Sequence, residues 1–483
     1  MRSGGWSGLG FGGLAVRWMV LVLAGLCVAV GPVARGAEFW VDPVGGSVRG
    51  DGSVGRPWRT IQGVFEAGLV ESRAWAELPY AEGSALVVKN GGAPVKGGDT
   101  VWLRSGYHGR LSITGYYNDE AITLAAAEGH EPRLGSVRIR AGSGWVVRGL
   151  TVSAEFGEAY ERGTLVDLDG HGWQGPVHDV VVEGCAIRSV ADASAWTAED
   201  WNQLACNGMQ VDGARMTIRD NRLLNVNFGI SVDASDSLIR GNLVENFAGD
   251  GLRGLGDRCT FEYNTVKNCF DVNGNHDDGF QSWSVGPDGV GTGEVVGVVL
   301  RGNTIINYED PNQPHRGTLQ GIGCFDGMYV DWVVENNVVI TDHWHGITLG
   351  GARNCLVINN AVLDRNDERP GPPWICVDKH KRGMAPVDCV VRNNLATDFR
   401  NAAEVLEDSN LRIGDPARLF VDVGHFDLHL LPGAAAIDAG SRVGAPAVDR
   451  DGIARPQGAG VDIGAYEWHG EELAPVEDAG GDM

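Results

Sequence analysis

Short apolar runs broken by glycine, asparagine or aspartate fill most of this chain, and seven of them align. They are IRDNRLLN (218–225), IRGNLVEN (239–246), FEYNTVKN (261–268), LRGNTIIN (300–307), VENNVVIT (334–341), VINNAVLD (357–364) and VRNNLATD (391–398). The shared asparagines are Asn221, Asn242, Asn264, Asn303, Asn337, Asn360 and Asn394, spaced by 21, 22, 39, 34, 23 and 34 residues. The shortest spacing is one repeat, and the longer ones are a repeat plus an insertion. Three residues before each asparagine stands an apolar residue: Ile218, Ile239, Phe261, Leu300, Val334, Val357, Val391. Two before stand Arg219, Arg240, Glu262, Arg301, Glu335, Ile358 and Arg392. This alternation predicts strands with one column facing a core and the next mostly facing water. The arginines in the outer column read as a solvated sheet face in preference to a polyanion track.

A repeat of this size holds about three short strands and their turns. No segment keeps helical periodicity over ten residues. Asparagine at one fixed turn can bond to the next asparagine and tolerate a left-handed backbone. The expected fold is therefore all-β: a single-stranded right-handed parallel β-helix, with an N-terminal cap and a C-terminal extension. Five residues before the ladder, Cys355 and Cys389 fall on adjacent coils. Their parallel side-chain directions favour buried free thiols over a disulfide.

A second strand also recurs: NGMQVD (207–212), FGISVD (228–233), DGLRGL (250–255), DGFQSW (278–283), QGIGCF (320–325) and HGITLG (345–350), with PWICVD (373–378) continuing it. Its fourth residues give an outward column of Gln210, Ser231, Arg253, Gln281, Gly323 and Thr348. The sixth residues are Asp212, Asp233, Leu255, Trp283, Phe325, Gly350 and Asp378. Insertions at 189–206, 270–277, 308–319 and 364–373 precede this strand, and those at 284–297 and 379–387 follow it. Loops gathered on both sides of one strand predict a groove along it.

Composition narrows the class. With Gly 72, aromatic 8% and charged 21%, the chain is too hydrophobic for disorder and too rich in glycine for a helical bundle. Arg2 and Arg17, the apolar run 18–30 and Ala34-Arg35-Gly36 read as an export signal cleaved before Ala37. Its removal leaves 36 basic against 63 acidic residues, a net charge of −27. A chain this acidic excludes a nucleic-acid partner. The expected organisation is a signal peptide (1–36), cap and first coils (37–140), β-helix (141–400), closing segment (401–468) and a disordered acidic tail (469–483). A secreted monomer follows, with no membrane contact after cleavage.

The groove inventory suits sugar. Trp283 and Phe325 are expected as stacking platforms, with Gln210, Asp212 and Gln281 as polar contacts. Trp196, Trp201, Trp344 and Trp374 lie in the flanking loops. Asp278 and Asp250 match in position on neighbouring coils, and Asp277 and His276 lie beside them. Such carboxylates either hold Ca²⁺ through oxygen ligands or share a proton so that one serves as acid. His276 and His345 are candidate bases. Arg253 is placed to neutralise a sugar carboxylate, and the loop Lys379-His380-Lys381 gives a basic anchor at one end.

The segments FWVDPVGGSVRGDGSVGRPWRTIQ and GGDTVWLRSGYHGRLSI, with the C-terminal AIDAGSRVGAPAVDRDGIARPQGAGVDIGAYEW, resemble the opening and closing of exported bacterial β-helix proteins of the pectin-lyase-like superfamily. HDDGFQSW and the later HGITLGG are similar to the calcium coil and base coil of some β-helix pectate lyases. That resemblance implies Asp277 and Asp278 on Ca²⁺. It departs at Thr348, where such lyases would present lysine. A base at His276 or His345 would resemble the β-helix uronan lyases and C5-epimerases in type. The expected activity is cleavage of an acidic, uronate-containing polysaccharide by β-elimination. The alternatives are a glycoside hydrolase using the paired aspartates, and a non-catalytic glycan-binding or cell-surface protein.

Overall fold

A computed structural model describes residues 36–366 and 368–470. The signal reading of residues 1–35 and most of the acidic tail lie outside the described residues.

The aligned segments form a parallel solenoid. Each full coil contributes one strand to each of three faces. The groove face contains Asn207–Val211, Ile230–Val232, Leu252–Gly254, Asp278–Trp283, Gln320–Asp326, His345–Gly350 and Trp374–Asp378, paired in parallel in that order. The second face runs from Thr217–Arg219 to Leu406–Asp408. The third runs from Gly106–Tyr107 to Leu411–Arg412. Earlier coils are built the same way, and the long strands Leu111–Ala126 and Val137–Arg148 each serve two faces.

The inner columns fill one core. Ile218, Ile239, Phe261, Leu300, Val334, Val357 and Val391 are fully buried. So are the groove-face residues Met209, Ile230, Leu252, Phe280, Ile322, Ile347 and Ile375. All eight cysteines from Cys185 onward are buried and free, Cys355 and Cys389 among them.

The asparagine ladder sits at the turn between the second and third faces. Each Oδ1 accepts from the backbone N–H and the Nδ2 of the preceding ladder asparagine, and each Nδ2 also donates to a carbonyl of the previous coil. The ladder begins on the Cys185 N–H and extends past Asn394 to Asn410. The expectation of a left-handed ladder asparagine is off by one residue. The positive φ belongs to the residue before it: Asp220, Gly241, Tyr263, Gly302, Asn336, Asn359, Asn393 and Ser409. The ladder residue itself points its amide inward along the stack.

The outer column of the second face is an ion-pair ladder. Arg240 pairs with Glu262 at 2.6 Å and Arg301 with Glu335 at 2.5 Å. These arginines are spent on neighbouring coils, in agreement with a sheet face rather than a polyanion track. At the end of this column Ile358 and Arg392 are buried, and Arg392 donates to the Val443 carbonyl of the closing segment. Arg455 and Glu467, both fully buried, pair at 2.7 Å and tie that segment together. Among the described residues, no helix is long and apolar enough to cross a membrane.

Candidate functional site

The register of the groove face reproduces the column read from sequence. Gln210 lies beside Ser231, Ser231 beside Arg253, Arg253 beside Gln281, Gln281 beside Gly323, and Gly323 beside Thr348. A cleft of about 410 Å³ opens over this column, lined by Gln210, Ser231, Asp233, Arg253, Leu255 and Trp283, with Val285 and Glu294 from the following loop.

Arg253 is the best-held group in the cleft. Its Nε donates to Oδ2 of Asp250 at 2.5 Å. Its guanidinium lies 3.7 Å from the ring centroid of Phe228 and 5.5 Å from that of Trp283. Phe228 fits because the neighbouring Gly249 has no side chain; a Cβ there would come within 2.5 Å of the ring. The terminal nitrogens of Arg253 take no protein partner among the described residues. A guanidinium fixed by Nε and by two rings presents a ready fork for a carboxylate.

Two buried carboxyls, Asp250 and Asp278, lie close to it, and a third, Asp277, is next to Asp278 in the chain. Asp250 accepts the Asp278 backbone N–H at 3.2 Å, and Asp278 accepts from Gln281 Nε2 at 2.7 Å. Burial and the charge of Asp250 push Asp278 well above the usual carboxylate range. Burial, with Asp271 and Asp250 nearby, pushes Asp277 up to about 8. Burial also raises Asp250, against the pull of Arg253. Oδ1 of Asp278 and Oδ1 of Asp277 are buried without a hydrogen-bond partner. Asp278 leans over Gly323 of the next coil, where a Cβ would stand 1.9 Å from its Oδ1. Sequence placed Gly323 in the column but gave it no role.

These carboxyls do not fit Ca²⁺. A calcium site needs six to eight oxygens converging on one point, with its carboxylates ionised. Asp250 is committed to Arg253 and Asp278 to Gln281, while Asp277 faces the Cys269 thiol. Among the described residues, no group of three or more His, Cys, Asp or Glu side chains is arranged to hold a metal.

The candidate histidines differ in burial. His276 is exposed on the loop before Asp278, close enough to Asp250 for its charge to act on that carboxyl. His345 is half-buried, with Nδ1 3.0 Å from Thr348 Oγ1 and its ring packed against Phe325 and Trp374. Burial lowers His345 to about 4, so its imidazole is neutral at neutral pH and cannot serve as an acid there. Thr348 stands three strand spacings from Arg253, about 14 Å. The fold therefore does not bring Arg253 and His345 to one sugar.

Other expected contacts are altered. A bulge between Ser282 and Trp283 sets Trp283 beside Asp326, so Phe325 falls out of the outward row and packs edge-on to His345 at 4.7 Å. Gln210 is tied to Asp212 and Asp233 at 2.8 and 2.6 Å. Lys379 is exposed, and Lys381 pairs with Asp326 at 2.8 Å. His380 is buried rather than open to a ligand. Its loop turns back through the His380 N–H to the Met384 carbonyl, and the ring fills the space left by Gly351. Trp201 is packing: it is buried and stacks on Phe270 at 4.6 Å. Trp344 is exposed and lies parallel to Trp374, with ring centroids 6.2 Å apart.

Residues 207–369 match the family model described as the right handed beta helix region. The chain is a right-handed parallel β-helix. Among solved structures, this β-helix is similar to the complex of XylC with xylose, at 10% identity and a TM-score of 0.52, covering 89% of this chain and 98% of that one. It is also matched by the pectate lyase Pel9A, at 13% identity and a TM-score of 0.42, covering 90% and 97%. A further match is the GH136 lacto-N-biosidase from Eubacterium ramulus, at 13% identity and a TM-score of 0.44, covering 78% and 67%. At these identities the likeness is one of fold.

Proposed function

We propose that this protein is an exported carbohydrate-active enzyme that cleaves a uronate-containing polysaccharide by β-elimination in the Arg253 groove. The observation that carries the reading is the Arg253 fork, fixed by Asp250 and two rings with its terminal nitrogens open to the cleft. Bound there, a uronate carboxylate loses its charge penalty and the C5 hydrogen becomes acidic. His276, near Asp250 on the rim, takes that proton. The C4–O bond breaks, a C4=C5 double bond forms, and the leaving oxygen takes up the proton from the imidazolium. Asp278 and Asp250 act from below by holding Arg253 and Gln281 in place. The working protein is a monomer whose partner is the glycan chain.

A glycoside hydrolase is the second reading. It is favoured by Asp277, which at about 8 keeps its proton at neutral pH, as an acid must. Against it, Asp277, Asp278 and Asp250 are only 5%, 0% and 2% exposed, whereas a hydrolytic pair must reach both the glycosidic oxygen and a water. Incubation with a panel of plant and algal polysaccharides tests both. Reducing ends and unsaturated-uronate absorbance rising together support elimination. Reducing ends alone replace it with hydrolysis. Binding without new ends would leave a non-catalytic glycan-binding protein.

A further inference from the structure

We propose that Arg400 forms a second carboxylate-binding subsite, at the far end of the same sheet face. The inference rests on the reading of the Arg253 groove as a uronan site and adds the length and charge pattern of the glycan. Arg400 repeats the construction of Arg253. Its Nε donates to Oδ2 of an aspartate, Asp398, at 2.9 Å. Its guanidinium lies 4.3 Å from the ring centroid of a tryptophan, Trp374. Trp374 is fixed in turn by its Nε1 bond to Thr348 Oγ1 at 3.3 Å and by the parallel Trp344 ring. As in Arg253, the terminal nitrogens of Arg400 take no protein partner among the described residues. Asp398 also receives Arg412, so two cations share that one carboxylate.

Both arginines stand in one outward column. From Arg253 it passes through Gln281, Gly323, Thr348 and Cys376. Phe399 pairs with Ile375, which sets Arg400 beside Cys376. The two forks are thus five strand spacings apart, about 24 Å. An extended glycan lying along the solenoid axis advances by about one strand spacing per sugar. A chain held at both forks therefore spans six sugars and carries an acid at each end of that span. The residues between them in the column, Gln281, Gly323, Thr348 and Cys376, are themselves uncharged. A contiguous uronan fits this pattern. A neutral chain with a single acidic branch can satisfy only one fork.

The test is calorimetric binding of oligogalacturonates and oligoalginates of three and of eight units to the wild type, Arg400→Gln, Arg400→Lys and Arg253→Gln. Circular dichroism checks that each variant is folded. Arg400→Gln should bind the eight-unit chain at least about tenfold more weakly, as expected for losing charge-assisted bonds, and the three-unit chain as the wild type does. Arg400→Lys should recover only part of the loss, because an ammonium lacks the planar fork. Arg253→Gln should weaken both lengths. Eight-unit binding by Arg400→Gln at wild-type strength, or an equal loss for both lengths, overturns the Arg400 subsite alone. Failure of the wild type to bind any of the probes overturns it together with the uronan reading.

Discussion

A single methyl group placed on Gly323 should unseat Asp278. The Cβ would stand 1.9 Å from Asp278 Oδ1 and 3.0 Å from a Phe325 ring carbon. Gly323 lies mid-strand with ordinary extended φ, so backbone strain is not the issue; the clash is. The carboxyl must swing away, and its 2.7 Å bond from Gln281 breaks. Overpacking a filled interior costs about 1–3 kcal/mol, and a lost buried hydrogen bond about 0.5–1.5 kcal/mol. Gly323→Ala should therefore destabilise the protein by about 2–4 kcal/mol. A double-mutant cycle isolates the contact. In an Asp278→Ala background the space is already open, so adding Gly323→Ala should cost less than about 1 kcal/mol. Urea denaturation of the four proteins, followed by circular dichroism, supplies the energies. Additive costs would refute the claim that Asp278 rests on Gly323.

Asn303→Ala removes a ladder rung and orphans the Asn264 N–H and the Phe261 carbonyl, so it should cost about 2–5 kcal/mol, and the end rung Asn410→Ala clearly less; equal losses would count against a cooperative ladder. Asp277 keeps its proton up to about 8 when folded but only to about 4 when unfolded, so it stabilises the protein at low pH and that contribution fades as pH rises between these values. Asp277→Asn should flatten the fall in thermal stability over that range, and an unchanged slope would contradict the burial argument. Burial opposes a charge on His429, yet its bonds to Asp451 and Asp427 outweigh this and raise its pKa. The clasp is therefore strongest at acid pH and weakens as pH climbs through the raised value, so His429→Gln should lower Tm more near about pH 5.5 than near about pH 8.

Much of the fold was legible because strands and coils are both periodic. Asparagine returned at a fixed offset, and alternation of period two separated Ile218 from Arg219 and Phe280 from Gln281. The outward column followed from the same count, and the observed register agrees with it at every step from Gln210 to Thr348. What the count did not show depends on contacts between coils. The bulge at Ser282 moves Phe325 out of its row. The left-handed residue falls one place before the ladder asparagine, because the turn itself carries the strain. Phe228, from the preceding coil, and Gly249, in the turn before the Arg253 strand, shape the Arg253 site. Arg400 follows the last aligned strand, so the repeat alone does not place it, although it extends the same column. Asp250 and Arg253 stand out by residue type, but the three strand spacings between Arg253 and Thr348, which holds His345, emerge only once the coils are stacked.

In a crystal structure of the protein bound to a uronate oligosaccharide, a sugar carboxylate should lie within hydrogen-bond distance of both terminal nitrogens of Arg253, with the C5 hydrogen of that sugar turned toward His276. An oligosaccharide bound on another face, or lying in the groove with its carboxylate away from Arg253, would contradict elimination in the Arg253 groove.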